Sequence, residues 1–295
     1  MPLFERVTIV GVGLIGGSLG MALRARGLAR EVVGVARAPE TIVTARDRGA
    51  IDRGTVDPAF GVGGAELVVL ATPPALVVPM ARRVLPHLGR DAILTDVASV
   101  KAEIVRSVEA LAPPGAAAFV GGHPMAGTEG RGIGAAAATL FDRAVYLLTP
   151  TERTPRGAVE RMSALVRALG AVPVEMEPGE HDQAVARVSH LPYLIAAALM
   201  GVAQPGTPAA GAAGPAFLGA TRVAGSPVEL WAEICRLNRD AILSALGVFR
   251  EELARFEGAL ASGTRFDALL ETARQARLRL ADARPAPGPA AGHTS

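Results

Sequence analysis

Apolar and polar residues follow two kinds of pattern over the first 177 positions. Short, continuous apolar runs, typical of strands buried on both faces of a parallel sheet, occupy residues 7–10, 31–35, 67–71, 92–96, 118–121, 144–148 and 172–176. Longer segments with apolar residues at helical spacing occupy residues 15–26, 40–48, 75–88, 101–111 and 156–169. This alternation predicts an α/β domain in which helices cover both faces of a parallel sheet.

The pattern changes after residue 177. Helical spacing of apolar residues then predominates, over residues 181–202, 227–261 and 266–281, with a segment rich in Gly, Pro and Ala at residues 204–215. We therefore predict a separate all-α domain over residues 178–282, following the α/β domain of residues 1–177. Residues 283–295 are rich in Pro, Ala and Gly, cannot bury a core, and are expected to form a disordered tail.

A glycine-rich segment follows the first apolar run directly. In a strand-turn-helix setting, Gly11 allows a tight turn, Gly13 lets the backbone approach a pyrophosphate, and Gly16 lets the helix pack closely on the strand. The phosphates of a dinucleotide are then held at the helix N-terminus. The first domain is thus predicted to be a Rossmann-type dinucleotide-binding domain. Its expected cofactor-binding residues are Gly11, Gly13, Leu14, Ile15, Gly16, Arg37, Thr72 and Ser99.

The residues after the second predicted strand bear on the choice of cofactor. NAD enzymes usually carry an acid there, which accepts hydrogen bonds from the adenosine ribose. Here the strand is followed by Ala36 and Arg37. An arginine can pair with a 2′-phosphate, so NADP is favoured over NAD. The alternative is that Arg37 only begins a solvated loop.

Candidate chemistry lies in two loops that follow later strands. Residues 95–101 include Ser99 and Lys101, and residues 121–130 include His123. Because the carboxyl ends of parallel strands meet at one edge of a sheet, these side chains are expected to converge near the nicotinamide. Lys101 is the one lysine among 30 basic residues. Either it fills a place where a guanidinium does not fit, or it is an accidental surface residue.

Several motifs together resemble the prephenate/arogenate dehydrogenase family of tyrosine biosynthesis. The resemblance covers roughly residues 6–282 and rests on the glycine loop, residues 96–101, residues 123–129, His181-Asp182, residues 189–192, residues 221–224 and Trp231. It implies oxidative decarboxylation of prephenate or L-arogenate with hydride transfer to NAD(P). It also implies a homodimer formed through the helical domain.

The resemblance carries roles over to individual residues. His123 would accept the substrate hydroxyl proton as general base, and Ser99 would orient His123 or that hydroxyl. The other residues implied to contact substrate are Arg222, which would bind a carboxylate, with Thr128, Glu129, His181, His190 and Tyr193. Tyr193 departs from the family, because many members have a histidine there. The choice between prephenate and arogenate therefore stays open.

Other classes of protein were weighed against this one. A β-hydroxyacid dehydrogenase or imine reductase shares the architecture but is expected to use a polar group such as lysine in the helical domain, which has none beyond Glu180. A non-catalytic NADP sensor would have little need of His123, Ser99 and Arg222 together. The interpretation as a prephenate/arogenate dehydrogenase is therefore preferred.

Composition restricts partners and location. The net charge is +2 and the arginines are scattered between acids, so no nucleic-acid partner is expected. Proline interrupts residues 66–80, and residues 195–203 fall short of the ~18 to 20 residues of a membrane span, so no membrane association is predicted. No signal-peptide pattern precedes the first strand, which predicts the cytoplasm. One cysteine, Cys235, excludes a disulfide framework or a cysteine-based zinc site, and no metal is expected.

Overall fold

The computed structural model describes residues 1–113, 115–128, 130–203 and 206–282. Within this part the strands are β1 (Phe4–Val10), β2 (Ala29–Val35), β3 (Arg53–Thr55), β4 (Leu67–Leu70), β5 (Ile93–Asp96), β6 (Ala118–Pro124), β7 (Val145–Thr149) and β8 (Val172–Glu175). The helices of the first domain are α1 (Leu14–Ala25), α2 (Pro39–Asp47), α3 (Pro58–Gly61), α4 (Pro74–Val84), α5 (Ala102–Leu111) and α6 (Arg156–Ala168). The predicted tail, residues 283–295, lies outside the described residues.

The strands form one eight-stranded sheet in the order β3-β2-β1-β4-β5-β6-β7-β8. Its strands pair in parallel except β6 and β7, which pair antiparallel, with His123 opposite Leu147. This sheet confirms the predicted Rossmann-type α/β class. β3 was not predicted, because its three residues, Arg-Gly-Thr, contain no apolar run and pair only with β2 at the sheet edge.

Alternating residues of the central strands supply two apolar layers, one on each face of the sheet. Ile9 packs with α1 and α6 on one face, whereas Val10 packs with α4 and α5 on the other. This division follows from the two-residue period of a strand. The predicted covering of both faces by helices is therefore confirmed.

The second domain is helical throughout its described part. Its helices are α7 (Pro178–Val185), α8 (Leu191–Ala203), α9 (Pro208–Gly211), α10 (Pro215–Thr221), α11 (Val228–Leu237), α12 (Arg239–Ser262) and α13 (Phe266–Asp282). A π-helical turn at Ala186–His190 joins α7 to α8. The helical pattern of residues 227–261 is divided at Asn238 (φ −115°, ψ 30°), between α11 and α12. Ile234 of α11 packs into the apolar layer around α4 and α5, which attaches this domain to the first.

One helical segment is longer than the sequence analysis anticipated. Residues Pro178–Ala203 form 26 continuous helical residues, apolar and long enough to cross a membrane by length and composition. The sequence analysis considered only residues 195–203 here, whereas α7, the π turn and α8 join end to end. The segment nevertheless carries His181, Asp182 and His190 buried beside the sheet. It is therefore part of the framework of the site described below.

Candidate active site

A cavity of about 360 Å³ lies where the end of β6 meets the π turn and α11. Five predicted site residues contribute to its wall: Ser99, His123, Thr128, His190 and Arg222. Trp231 and Ser189 also contribute to the wall. Residues more than 120 positions apart thus meet at one site, between the sheet and the helical domain.

The glycine loop between β1 and α1 has the geometry of a phosphate-binding turn. Gly11 has φ +102°, and a Cβ atom there would lie 2.4 Å from the carbonyl oxygen of Ala71. A Cβ at Gly13 would meet nothing within 4 Å, so the backbone at the start of α1 is open to a ligand. The first turn of α1, with Leu14, Ile15 and Gly16, carries no acidic residue. Its free N–H groups therefore suit the pyrophosphate of a dinucleotide.

Two further observations fit a dinucleotide in this place. The Oγ1 atom of Thr72, two residues after β4 and beside Gly11, is buried without a hydrogen-bond partner among the described residues. Buried hydroxyls normally find partners, so an unpaired one at a cofactor loop points to a ligand contact. Arg37 follows β2 and Ala36, and its side chain is exposed with no ion-pair partner in the described part of the chain. The residues predicted to bind the cofactor are thus compatible with one.

His123 stands near the end of β6 and is almost completely buried. Its Nδ1 atom lies 2.9 Å from Nε2 of His181 on α7. The other ring nitrogen of His181, Nδ1, lies 2.8 Å from Oδ1 of Asp182. Burial lowers the pKa of His123 well below its usual value, and the neighbouring His181 and Lys101 lower it further. His123 is accordingly neutral at physiological pH and able to accept a proton.

His181 lies behind His123 and does not contribute to the cavity wall. Burial lowers its pKa, and the hydrogen bond with Asp182 opposes this shift. Its predicted contact with substrate is therefore not direct in this structure. Its position is that of a support for the His123 ring.

Asp182 connects the helical domain to the start of α5. Its Oδ1 accepts a hydrogen bond from the Lys101 N–H at 2.8 Å, and its Oδ2 accepts one from the Ala102 N–H at 2.9 Å. Helix N-termini leave N–H groups unsatisfied, and a carboxylate from another element fills that need. Asp182 therefore caps α5 and orients His181 at the same time.

Lys101 is fully buried, which excludes the interpretation as an accidental surface lysine. Its Nζ atom donates a hydrogen bond to Oδ2 of Asp96, at the end of β5. Asp96 also accepts hydrogen bonds from the N–H groups of Ala98 (3.0 Å) and Gly122 (3.2 Å). Because Gly122 precedes His123, this ion pair fixes the backbone that carries His123.

His190 lies at the end of the π turn, where Asn238 holds its ring. The Nδ2 amide of Asn238 donates to Nδ1 of His190 (3.1 Å) and to the carbonyl oxygen of Asp182 (2.8 Å). His190 is thereby set with its proton on Nε2, and that atom is buried without a partner among the described residues. Burial lowers the pKa of His190 to about 4, so the ring is a neutral donor. Its unpaired N–H borders the cavity and is available to an acceptor on a ligand.

The remaining predicted residues fall into three groups. Arg222, at the start of a 3₁₀ turn, and the exposed Thr128 both border the cavity. Tyr193 is buried and absent from the cavity wall; its ring stacks on Trp231 with 3.8 Å between centroids and 3° between planes. Glu129 lies outside the described residues.

Sequence reasoning missed the supporting roles of Asp182 and Asn238. Asp182 was noted only as part of the His181-Asp182 motif, and Asn238 was not singled out. A polar residue in the middle of a helical apolar pattern is a signal for Asn238, since it interrupts the period at the break between α11 and α12. No comparable signal marks the bond between His181 and His123, which lie 58 positions apart.

The sheet, the open glycine loop and a buried neutral histidine at the same carboxyl edge of the parallel strands define a nucleotide-dependent dehydrogenase with a helical second domain. Comparison with known proteins gives the family. Residues 19–175 match the nucleotide-binding domain of prephenate dehydrogenase, and residues 177–275 match the dimerization domain of the same enzyme. The chain belongs to the prephenate dehydrogenase family.

Individual relatives agree with this assignment. The chain is 34% identical over 257 residues to prephenate dehydrogenase of Bacillus subtilis, covering 84% of this chain and 68% of that protein. The crystal structure of A. aeolicus prephenate dehydrogenase in complex with hydroxyphenyl propionate and NAD+ is similar, with TM-score 0.86, 29% identity and coverage of 94% and 98%. That of Synechocystis arogenate dehydrogenase is similar with TM-score 0.82, 33% identity and coverage of 93% and 99%. Two of these relatives are prephenate dehydrogenases and one is an arogenate dehydrogenase.

Proposed function

We propose that the protein oxidises prephenate or L-arogenate with NADP as the preferred acceptor, releasing carbon dioxide in tyrosine biosynthesis. The observation that carries this proposal is the cavity itself. It joins a neutral buried histidine and an arginine at the same carboxyl edge of the sheet as the glycine loop, in a chain of the prephenate dehydrogenase family. The Gly11–Gly16 loop, Thr72 and Ser99 would hold the cofactor, and its nicotinamide ring would supply the hydride acceptor.

The substrate needs a proton acceptor. Both candidate substrates are cyclohexadienes with a hydroxyl across the ring from a carboxylate. As the hydride leaves the hydroxyl-bearing carbon, the hydroxyl proton passes to Nε2 of His123 and a C=O bond forms. The bond from the ring to the carboxylate then breaks, its electron pair completes the aromatic ring, and carbon dioxide departs. The proton returns from His123 to the phenolate oxygen, so the histidine ends in its starting state.

Two groups on the cavity wall would bind carboxylates. The Arg222 guanidinium offers a planar pair of donors that fits a carboxylate. The buried Nε2–H of His190 offers one more donor, fixed in direction by Asn238. A substrate oxygen there would satisfy an otherwise unpaired buried group, which favours binding of a molecule that has an acceptor in that position.

Tyr193 and Trp231 bear on substrate choice. The stacked pair places the indole, and not the phenol, on the cavity wall. A titratable histidine at position 193, as in many family members, is thereby replaced by a flat apolar surface. Both prephenate and L-arogenate remain candidate substrates, and the assay below decides between them.

The preference for NADP rests on Arg37. Neither Ala36 nor Arg37, the two residues directly after β2, is an acid, and Arg37 has an exposed side chain with no ion-pair partner among the described residues. NAD is bound in the A. aeolicus relative, so both cofactors belong in the assay.

The protein is further proposed to act as a homodimer through its helical domain, which matches a dimerization domain. Large apolar side chains are exposed along its helices, including Val202, Leu218, Val228, Leu243 and Leu260. Burial of such residues against a second copy would remove them from water. Location in the cytoplasm stays a prediction.

The test is a matrix of initial rates with prephenate and L-arogenate, each with NAD and NADP. We expect formation of reduced nicotinamide with at least one substrate and a higher kcat/KM with NADP. Tyrosine or 4-hydroxyphenylpyruvate should appear in equal amount to the reduced cofactor. No turnover in any combination, from folded protein that binds cofactor, would overturn the proposed reaction. A higher kcat/KM with NAD would overturn the NADP preference alone.

A further inference from the structure

We propose that Asp182 and His181 form a relay that sets the tautomer of His123, leaving the lone pair of its Nε2 atom facing the substrate. The two residues are positioning residues, since they act through His123. The inference rests on the proposed role of His123 as proton acceptor. Its basis is a continuous chain of contacts that begins at a carboxylate in the helical domain and ends at the cavity.

The direction of each hydrogen bond follows from the first. A carboxylate only accepts, so the atom of His181 that faces Asp182, Nδ1, carries a proton. In a neutral imidazole the other nitrogen, Nε2, then has a lone pair. That lone pair accepts from Nδ1 of His123, 2.9 Å away, which must therefore be the protonated nitrogen. The Nε2 atom of His123 is left unprotonated and without a protein partner among the described residues.

This chain requires His181 to be neutral, and its surroundings support that state. An imidazolium at position 181 would donate from both nitrogens and force the opposite tautomer on His123. The ring is fully buried, and burial disfavours its charged form. The charged groups nearest to it are Lys101, Asp96 and Asp182, of which Asp182 forms the hydrogen bond.

Asp182 is itself held from the opposite side. The Lys101 and Ala102 N–H groups at the start of α5 bind its two oxygens, so the carboxylate cannot rotate away from His181. The relay therefore connects the docking of the two domains to the protonation of the base. The competing explanation is that Asp182 only caps α5 and that its contact with His181 has no chemical consequence.

The tautomers of His123 and His181 can be determined by NMR, in the absence of any reaction. Protein labelled with ¹⁵N-histidine, free of substrate and cofactor, is examined by NMR at pH 7.5, where protonated and unprotonated ring nitrogens differ in chemical shift and coupling. The sequence contains five histidines, so assignment requires only single substitutions. We expect His123 and His181 each to be protonated on Nδ1. A His123 ring protonated on Nε2 would overturn the relay, whatever the enzyme's activity.

The kinetics of four variants then distinguish a role of Asp182 in the relay from a role as the cap of α5 alone. His181→Leu removes the acceptor for His123 but leaves the Asp182 cap intact, and kcat should fall about 10²-fold. His181→Gln places an amide oxygen where Nε2 stood and should recover at least tenfold of that loss. Asp182→Ala should also lower kcat about 10²-fold, whereas in the His181→Gln background it should lower kcat less than about tenfold.

A matched control isolates the effect of losing a helix cap. Glu177 caps α7 through the N–H groups of Gly179 (2.9 Å) and Glu180 (3.1 Å) and is exposed. Glu177→Ala should lower Tm but change kcat less than about threefold. Equal losses of kcat for Asp182→Ala in both backgrounds, or no loss in His181→Leu, would assign Asp182 to capping alone. If Asp182→Ala does not fold, the NMR result and the two His181 variants still decide.

Discussion

Replacement of Lys101 by methionine tests the buried ion pair between Lys101 and Asp96, which holds the backbone next to His123. Methionine is nearly as long as lysine and fits the space that the methylene groups of Lys101 occupy. The change therefore removes the charge with little change in volume. Both Lys101 and Asp96 are 0% exposed, so the carboxylate left behind is buried without a counter-ion. Loss of one partner of a buried pair costs about 3 to 5 kcal/mol.

Asp96 keeps some compensation after this change. The N–H groups of Ala98 and Gly122 still donate to its two oxygens. We therefore expect the free energy of unfolding to fall by about 3 kcal/mol, the lower end of that range. For an m value of ~3 kcal/mol/M, the urea midpoint should then be about 1 M lower. Unfolding is followed by circular dichroism at one protein concentration, because dimerisation contributes to stability.

Two further variants make the prediction specific. Arg83→Met breaks an exposed ion pair with Asp57, whose side chains are 55% and 53% exposed, and should cost less than about 1 kcal/mol. Asp96→Asn should be much less damaging in the Lys101→Met background than in the wild type, with a coupling free energy above about 1 kcal/mol. A loss below 1 kcal/mol for Lys101→Met, or simple additivity in the double variant, would refute the stabilising role assigned to the pair.

Three other predictions concern substrate, cofactor and pH. Arg222→Ala should raise KM about 10- to 150-fold, the equivalent of ~1.5 to 3 kcal/mol, and an unchanged KM would remove the carboxylate contact. Ala36→Asp with Arg37→Ala should move the ratio of kcat/KM values toward NAD; no movement would show that Arg37 does not bind the 2′-phosphate. Because the folded pKa of His190 is about 4 and the unfolded value is ~6.5, its stabilising contribution is complete above pH 6.5 and is lost as the pH falls toward 4. The loss should reach about 3 kcal/mol in urea titrations, and His190→Gln should show a weaker pH dependence; an equal dependence would contradict the shift.

The predicted homodimer has a direct check by light scattering. The expected mass at assay concentration is about twice the 30.2 kDa of the chain. Glu or Lys in place of Leu243 or Leu260 should lower that mass if these exposed side chains lie in the interface. A monomeric wild type would contradict the proposal.

The order of the strands and helices was predictable because buried strands have continuous apolar runs and surface helices have a 3.6-residue period. The antiparallel direction of β7 was not, since an apolar run such as Val145–Thr149 is the same in either direction. The edge strand β3 lacks a run altogether. The π turn at Ala186–His190 also has no signal in the apolar period, yet it brings His190 to the cavity.

Within the site, sequence predicted the residues that border the cavity better than those that support them. His123, Ser99 and Arg222 belong to local motifs, and all three border the cavity. Tyr193 belongs to a motif too, but its ring stacks on Trp231 and does not border the cavity. This contact depends on how α8 and α11 pack together. The bond between His123 and His181 depends on how the two domains meet, which no local pattern reports.

In the proposed reaction, His123 accepts the substrate hydroxyl proton while a dinucleotide is bound. The most direct test is kcat of His123→Asn, measured with the substrate and cofactor that the wild type prefers, together with Kd for that cofactor. We predict a fall in kcat of about 10² to 10⁴-fold with Kd for the cofactor unchanged within threefold. A variant that keeps kcat within tenfold of the wild type would contradict the account, because the proton would then have another acceptor.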